Sequence, residues 1–351
     1  MRAWTLTAHG DPHKVLELQD RPDPVPGAGQ VLVRAEGFGL NYADTMAVRG
    51  LYRDAPPPPT VLGYEVVGRV ERCGADAPPD LMGRRVVAFT RFGGHAELAV
   101  TDHRACAVIH DAVPLGEALA LATQGCTAWY AAQVACPLWP GLRVLVHSAA
   151  GGVGQLLVQM ARNAGCTVIA VASGPDKMRR LWELGAHHVV DRAAGDAYAA
   201  VRRALDGAPL DVSFNAVGGS TFKRDMALLG SGGRLLVYGG AERGAGGMLG
   251  TLRFVWRMGL VVPILLMMRS HGIIGVNMLR ISEAHPELLA RCLRAVVAAH
   301  HAGELRAHVH AEHPTCALPQ AIAELAAGRT MGKVALRWPD TFAPCHEPPT
   351  H

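Results

Sequence analysis

The stretch VLVHSAAGGVGQLLVQMARNAGCTVIAVASG, residues 144–174, joins an apolar strand, a small-residue turn, a helix and a second apolar strand in one run. That order is one βαβ unit. Its turn, Ala149-Ala150-Gly151-Gly152-Val153-Gly154, is an A-x-G-x-x-G variant of the dinucleotide fingerprint. Glycine lets backbone approach a pyrophosphate, and the helix start adds free N–H groups and a positive dipole end. A Gly-rich turn alone is a weak signal, but the flanking strand, helix and second strand supply the confirming context. The expectation is a dinucleotide held at Ala150, Gly151, Gly152, Val153 and Gly154.

The end of the second strand bears on which dinucleotide. An NAD site carries Asp or Glu there for the ribose 2′-hydroxyl. This sequence has Ser173, then Lys177 four residues on, with Asp176 placed to help start a helix. Ser173 can donate to a 2′-phosphate and Lys177 can neutralise it, while Arg192 after the third strand can approach the same group. Solvated surface charges are the plain alternative for Lys177 and Arg192. NADP(H) is the expected cofactor.

Outward from this unit, strands at 142–147, 167–173, 211–216 and 234–239 alternate with helical patterns near 152–164, 175–185, 196–206 and 219–229. Alternation of that kind means a parallel sheet. A last strand is expected at 271–277, after an apolar segment at 248–268, followed by helix 284–302, strand 305–311 and helix 315–327. The first third instead holds short strand-like runs punctuated by Gly and Pro, the texture of an irregular β-rich domain. The expected divisions are 1–121, 122–281 and 282–338, with a flexible tail at 339–351.

Half of the 351 residues are apolar, enough for two sizeable cores, and the net charge of +4 is scattered. No basic stripe suggests nucleic acid. The eight cysteines are widely spread with no CxxC pair, and no apolar signal core follows the N-terminus; reduced thiols in the cytoplasm are expected.

With GLNYADTMAVRGLY, LGYEVVGRV, TQGCTAWYA, HSAAGGVGQ and MGKVAL in this order, the chain resembles the medium-chain dehydrogenase/reductase superfamily over about residues 1–338. It is most similar to the zinc-free quinone oxidoreductases, the group containing zeta-crystallin, and the apolar insert after VYGGA points toward the vesicle amine transport protein homologues. The resemblance implies an α/β fold in which a Rossmann doubly wound parallel sheet domain is inserted into a β-rich GroES-like catalytic domain. It further implies an active site in the cleft between them and a homodimer paired through the last Rossmann strand. Cofactor contacts are implied at Asn41, Thr127, Val217, Tyr238, Gly239, Gly240 and Lys333, besides the turn and phosphate residues above.

Zinc-dependent alcohol dehydrogenases of the superfamily hold catalytic zinc at places where this sequence has Asn41, Tyr64 and Thr123, which do not make a ligand set. The four-cysteine structural-zinc lobe is missing too. No metal site is expected; a solvated edge is the favoured reading of His308, His310 and His313, although on a strand His308 and His310 would share a face. His147, beside the turn, could touch ribose or simply pack. Without a Lewis acid the suitable acceptor is conjugated, a quinone or α,β-unsaturated carbonyl, because its own oxygen delocalises the arriving charge. The resemblance places Asn41, Tyr52 and Tyr130 near the nicotinamide as catalytic candidates. Tyr42, Tyr64 and Tyr238 are equally well packing residues.

The insert GMLGTLRFVWRMGLVVPILLMMRSHG has a longest uncharged apolar run of 11 residues, Met258–Met268, too short to span a bilayer. A lid or dimer contact is the plainer expectation for it; the flanking Arg253, Arg257 and Arg269 would also permit docking on an anionic membrane surface. Two other functions remain open: an enoyl-thioester reductase of a biosynthetic pathway, and a non-catalytic, membrane-associated NADPH-binding protein.

Overall fold

The computed structural model describes residues 1–244 and 247–339, and the chain divides into two compact units, 124–308 and the remainder. In the 124–308 unit, six parallel strands lie in the order His188–Asp191, Thr167–Ala172, Arg143–Val146, Leu210–Asn215, Leu229–Val237 and Gly272–Gly275. The chain starts in the middle, winds outward one way and then the other, which is the doubly wound Rossmann order with its switch point beside 143–146. Helices cover both faces, so Val144, Leu145 and Val146 are all fully buried and read as an unbroken apolar run. Leu145, Ile169 and Val171 meet Val201, Leu205, Phe222 and Leu235 in one core.

The helices Gly152–Asn163, Pro175–Glu183, Ala197–Leu205 and Ser220–Met226 fall where the sequence pattern put them, the last ending three residues early. The following strand begins at Leu229 rather than 234, because Leu229 already pairs with Leu210 and Leu228 accepts a bond from the Leu210 N–H.

The second division falls at 308/309, not 281/282. Helix Pro286–His301 stays with the Rossmann unit, and beyond it Gln159 of helix 152–163 bonds both the N–H and the carbonyl of Arg306. That pair of bonds holds the chain until His308, so the strand expected at 305–311 runs instead over Val309–Pro314.

The other unit is β-rich. Its larger sheet has the path Val309–Pro314, Lys333–Arg337, Gln30–Leu40, Glu65–Cys73, Arg85–Phe89 and Cys106–Val108, with Leu98–Asp102 also paired to 30–40. A smaller sheet orders Leu16–Asp20, Arg2–Leu6 and Thr60–Val61. Antiparallel pairing of Val334 with Leu40 sews the C-terminal segment to the N-terminal one and carries Lys333 to the end of strand 30–40. The seven described cysteines are free thiols; Cys345 and the expected tail from 340 onward lie outside the described residues.

Candidate active site

Strand 143–146 leads into the small-residue turn through Ser148, whose φ is +50°. The Gly151 N–H bonds the Ser148 carbonyl at 2.9 Å, and Gln155 Nε2 donates to the Ala150 carbonyl at 2.9 Å, closing the turn onto the first helical residues. Any Cβ on Gly152 would strike the Gln124 amide, and one on Gly154 would sit 2.7 Å from the Ala149 Cα. Small residues are therefore required on both sides, one for helix–strand contact and one for Gln124. Gln124 Oε1 is buried with no hydrogen-bond partner among the described residues, a polar atom left beside the glycine-rich turn.

Ser173 follows the end of strand 167–172, and Gly174, at φ +97°, turns the chain into helix 175–183 with Pro175 at its first position. Lys177 lies in the first turn of that helix. The Arg192 N–H bonds the Ala172 carbonyl at 2.8 Å, which brings the residue after the third strand to the end of the second. Burial, and then the Arg192 guanidinium, hold the Lys177 ammonium below its ordinary range. Two cations within electrostatic reach, beside a serine and a helix N-terminus, fit a doubly charged phosphate. Asp176 is turned to Arg179 at 2.7 Å.

Behind the turn lies a polar centre. Asp225 is fully buried and accepts from Tyr198 Oη (2.5 Å), Asn215 Nδ2 (2.6 Å), Ser213 Oγ (2.7 Å) and His147 Nε2 (3.0 Å). Burial opposes its charge, yet His147 and these bonds keep the carboxyl below the usual range. Asn215 Oδ1 in turn accepts from the N–H groups of Val217 and Gly218. Of the two readings of His147, this supports packing: its ring is tied to Asp225. The network fixes the loop carrying Val217, while Tyr238, Gly239 and Gly240 follow the adjacent strand, with the Tyr238 N–H bonded to the Asn215 carbonyl. Thr127 is buried in the short helix Cys126–Trp129, and Tyr130 opens the π-helical segment that follows.

In the β-rich unit, Asn41 caps helix Tyr42–Val48; its N–H donates to Asp44 Oδ2 at 2.8 Å and its Nδ2 to Glu65 Oε1 at 2.9 Å. Lys333, completely buried, pairs with Glu65 and donates to the Leu40 carbonyl at 3.3 Å. The Thr123 N–H bonds the other Glu65 oxygen at 2.9 Å, and Thr123 Oγ1 bonds the Tyr64 carbonyl. Gly39 makes room for the pair, since a Cβ there would overlap both Glu65 and Lys333. Asn41, Tyr64 and Thr123 thus do converge, but around a closed carboxylate–ammonium pair. Lys333, expected along the cofactor, has its ammonium enclosed in this cluster.

Next to it Asp44 and His95, both fully buried, stand 3.4 Å apart. Burial, assisted by Glu65, pushes the Asp44 carboxyl up to about 8, while burial pushes His95 down to about 3. The signs oppose one another. Between the ordinary Asp value and 8 the folded state holds an extra proton on Asp44, so stability falls as pH rises; between 3 and the ordinary His value the unfolded state holds the extra proton, so stability rises. The two cancel in the shared window, leaving only the Asp44 slope above about pH 6.5, at most about 1.4 kcal/mol per pH unit. Denaturant unfolding of Asp44→Asn across pH 6.5–8 should lack the decline that the parent shows; an unchanged decline would place the titrating group elsewhere.

Tyr52 packs edge-on against Tyr64, ring centres 6.1 Å apart, and Tyr64 against Phe92 at 5.4 Å. Tyr64 is a packing residue, its phenol pushed well up by burial and then by Asp44. His310 and His313 fall on opposite faces of strand 309–314 and His308 precedes it, so the expected shared face of His308 and His310 does not form. Among the described residues no group of three His, Cys, Asp or Glu side chains is placed to hold a metal.

Comparison with known proteins gives two family models, an alcohol dehydrogenase GroES-like domain over 27–140 and a zinc-binding dehydrogenase over 152–294. A quinone oxidoreductase of Pseudomonas aeruginosa is 32% identical over 238 residues, 68% of this chain and 73% of its own. The human synaptic vesicle membrane protein VAT-1 homolog is 29% identical over 341 residues, 96% of this chain and 86% of its own. A solved structure of the mycobacterial protein Rv1454c complexed with NADPH aligns with a TM-score of 0.83 at 29% identity, over 96% of this chain and 99% of that one. The chain belongs to the quinone oxidoreductase family of the medium-chain dehydrogenase/reductases, beside the VAT-1 homologues. That family makes it an oxidoreductase. A zinc ion does not fit the residues present: the Glu65 oxygens are engaged by Lys333, Asn41 and the Thr123 N–H, and Asn41, Tyr64 and Thr123 are not a zinc ligand set.

Proposed function

We propose that the protein is a zinc-independent, NADPH-dependent reductase of conjugated acceptors, a quinone or an α,β-unsaturated carbonyl. The observation that carries this reading is the Asn41–Glu65–Lys333 cluster, closed and charge-balanced at the places where zinc-dependent relatives keep their metal ligands. Bound NADPH supplies the hydride. The residues Ala150 to Gly154 take its pyrophosphate, Ser173, Lys177 and Arg192 its 2′-phosphate, and Thr127, Val217, Tyr238, Gly239 and Gly240 the remainder. Asn41, Tyr52 and Tyr130 position the acceptor, and a tyrosine hydroxyl donates to the oxygen on which charge gathers. A conjugated acceptor suits such a site because it needs hydrogen-bond donors rather than a Lewis acid.

Cofactor selectivity tests the first half of this reading. Charge-assisted bonds to a phosphate are worth about 1.5–3 kcal/mol each, so NADPH should bind at least about tenfold more tightly than NADH. Lys177→Ala should remove most of that preference in a fluorescence titration. Equal affinities in the parent, or an undiminished preference in the variant, would move the 2′-phosphate away from these residues.

A further inference from the structure

Among the described residues of the 124–308 unit three glutamines are buried: Gln155, Gln159 and Gln124, which are 2%, 6% and 7% exposed. Two of them have their amides engaged at both ends. Gln155 donates to the Ala150 carbonyl at 2.9 Å and accepts from Arg180 Nε at 3.4 Å. Gln159 donates to the Arg306 carbonyl at 3.0 Å and accepts from the Arg306 N–H at 2.9 Å. Gln124 differs, because its buried Oε1 has no hydrogen-bond partner among the described residues. An amide oxygen taken from water without a donor in exchange costs the folded state stability, so its retention calls for a reason in function.

The position of Gln124 supplies that reason. Its amide lies so close to Gly152 that a Cβ there would overlap it, and Gly152 is the first residue of the 12-residue helix 152–163. The pyrophosphate of a dinucleotide belongs at that helix start. Gln124 itself stands in the π-helical turn Leu121–Gly125, a rare geometry that recurs at functional sites. In the next turn of the same helical run comes Thr127, also buried. Donor chemistry then selects the partner. Oε1 only accepts, so pyrophosphate oxygens cannot satisfy it. The donors nearest a pyrophosphate are the hydroxyls of the two riboses flanking it; the carboxamide and the adenine amine lie a full sugar further out. The adenine-side ribose is drawn to the end of strand 167–172, where Ser173, Lys177 and Arg192 take its 2′-phosphate. The other ribose remains. We propose that Gln124 is a cofactor-binding residue whose Oε1 accepts a hydrogen bond from a hydroxyl of the nicotinamide-side ribose. This assignment rests on the NADPH-binding reading above.

Gln124→Met keeps the length of the side chain and removes both polar atoms of the amide. It should weaken binding of NADPH and of 2′-phospho-ADP-ribose about tenfold each in a titration. Binding of 2′-phospho-ADP, which has the pyrophosphate but no second ribose, should stay within about twofold of the parent. The same change should raise the thermal midpoint of the ligand-free protein by about 2–4 °C, since no buried oxygen then goes unpaired. A glutamine with a merely structural role would not give weaker binding together with higher stability. Gln124→Leu, a second apolar side chain, should repeat the pattern, so a misfolded methionine variant does not end the test. Unchanged NADPH affinity in a folded variant would give the oxygen to a water and overturn the proposal. So would a loss for all three ligands, which marks damage to the turn, a loss for NADPH alone, which marks the carboxamide, or a lowered thermal midpoint. A parent that binds none of the three would overturn the cofactor reading with it, whereas the identity of the acceptor has no part in these titrations.

Discussion

Lys333→Met is expected to destabilise the protein by about 3–5 kcal/mol, the cost of leaving a buried charge without its partner. Lys333 and Glu65 are both fully buried, and among the described residues the ammonium meets Glu65, the Leu40 carbonyl and, at 3.5 Å, Asn41 Oδ1. With methionine in place the Glu65 carboxylate keeps the Asn41 amide and the Thr123 N–H but no counter-charge. Adding Glu65→Gln should recover much of the loss, because a neutral amide no longer needs the cation. Denaturant unfolding of the two single variants and the double variant gives the coupling directly. Additive losses would mean that the pair is not the unit holding this cluster together.

Tyr52→Phe carries the second large effect. If its hydroxyl stabilises negative charge on the acceptor oxygen, its loss should lower kcat by about 10²–10³. The ring packs edge-on against Tyr64 and phenylalanine keeps that contact, so the thermal midpoint and NADPH affinity should hardly move. Asn41→Ala is a less direct probe, since it also removes a donor from Glu65. A full rate in Tyr52→Phe on the best acceptor would assign the donor elsewhere; Tyr130 is then the next candidate.

The Rossmann unit was legible because its chemistry is local. Val144, Leu145 and Val146 are buried on both faces of the strand and the turn needs glycine at 152 and 154, so both appear in one short stretch. Lys333 and Glu65 lie 268 residues apart, and no local pattern announces that the sheet will bring them together. Asp225 sits among Lys223, Arg224 and Met226 and resembles a solvated helix charge; it is buried because His147, Ser213 and Asn215, from two strand ends, turn toward it. Gln124 gave a faint signal in TQGC, but its role depends on Gly152 approaching from another element. The misplaced 282 boundary has the same origin, for the chain after helix 286–301 is held by Gln159, well over a hundred residues earlier.

The central claim is metal-independent reduction of a conjugated acceptor by NADPH. Its most direct measurement is NADPH oxidation followed by absorbance across a panel of quinones and enones, before and after exhaustive chelation, with zinc content determined on the same sample. The account predicts turnover of at least one conjugated acceptor, undiminished by chelation and without stoichiometric zinc, and no oxidation of saturated alcohols with NADP⁺. Activity that disappears with the metal and returns with added zinc, or tight NADPH binding with no acceptor turned over, would contradict it.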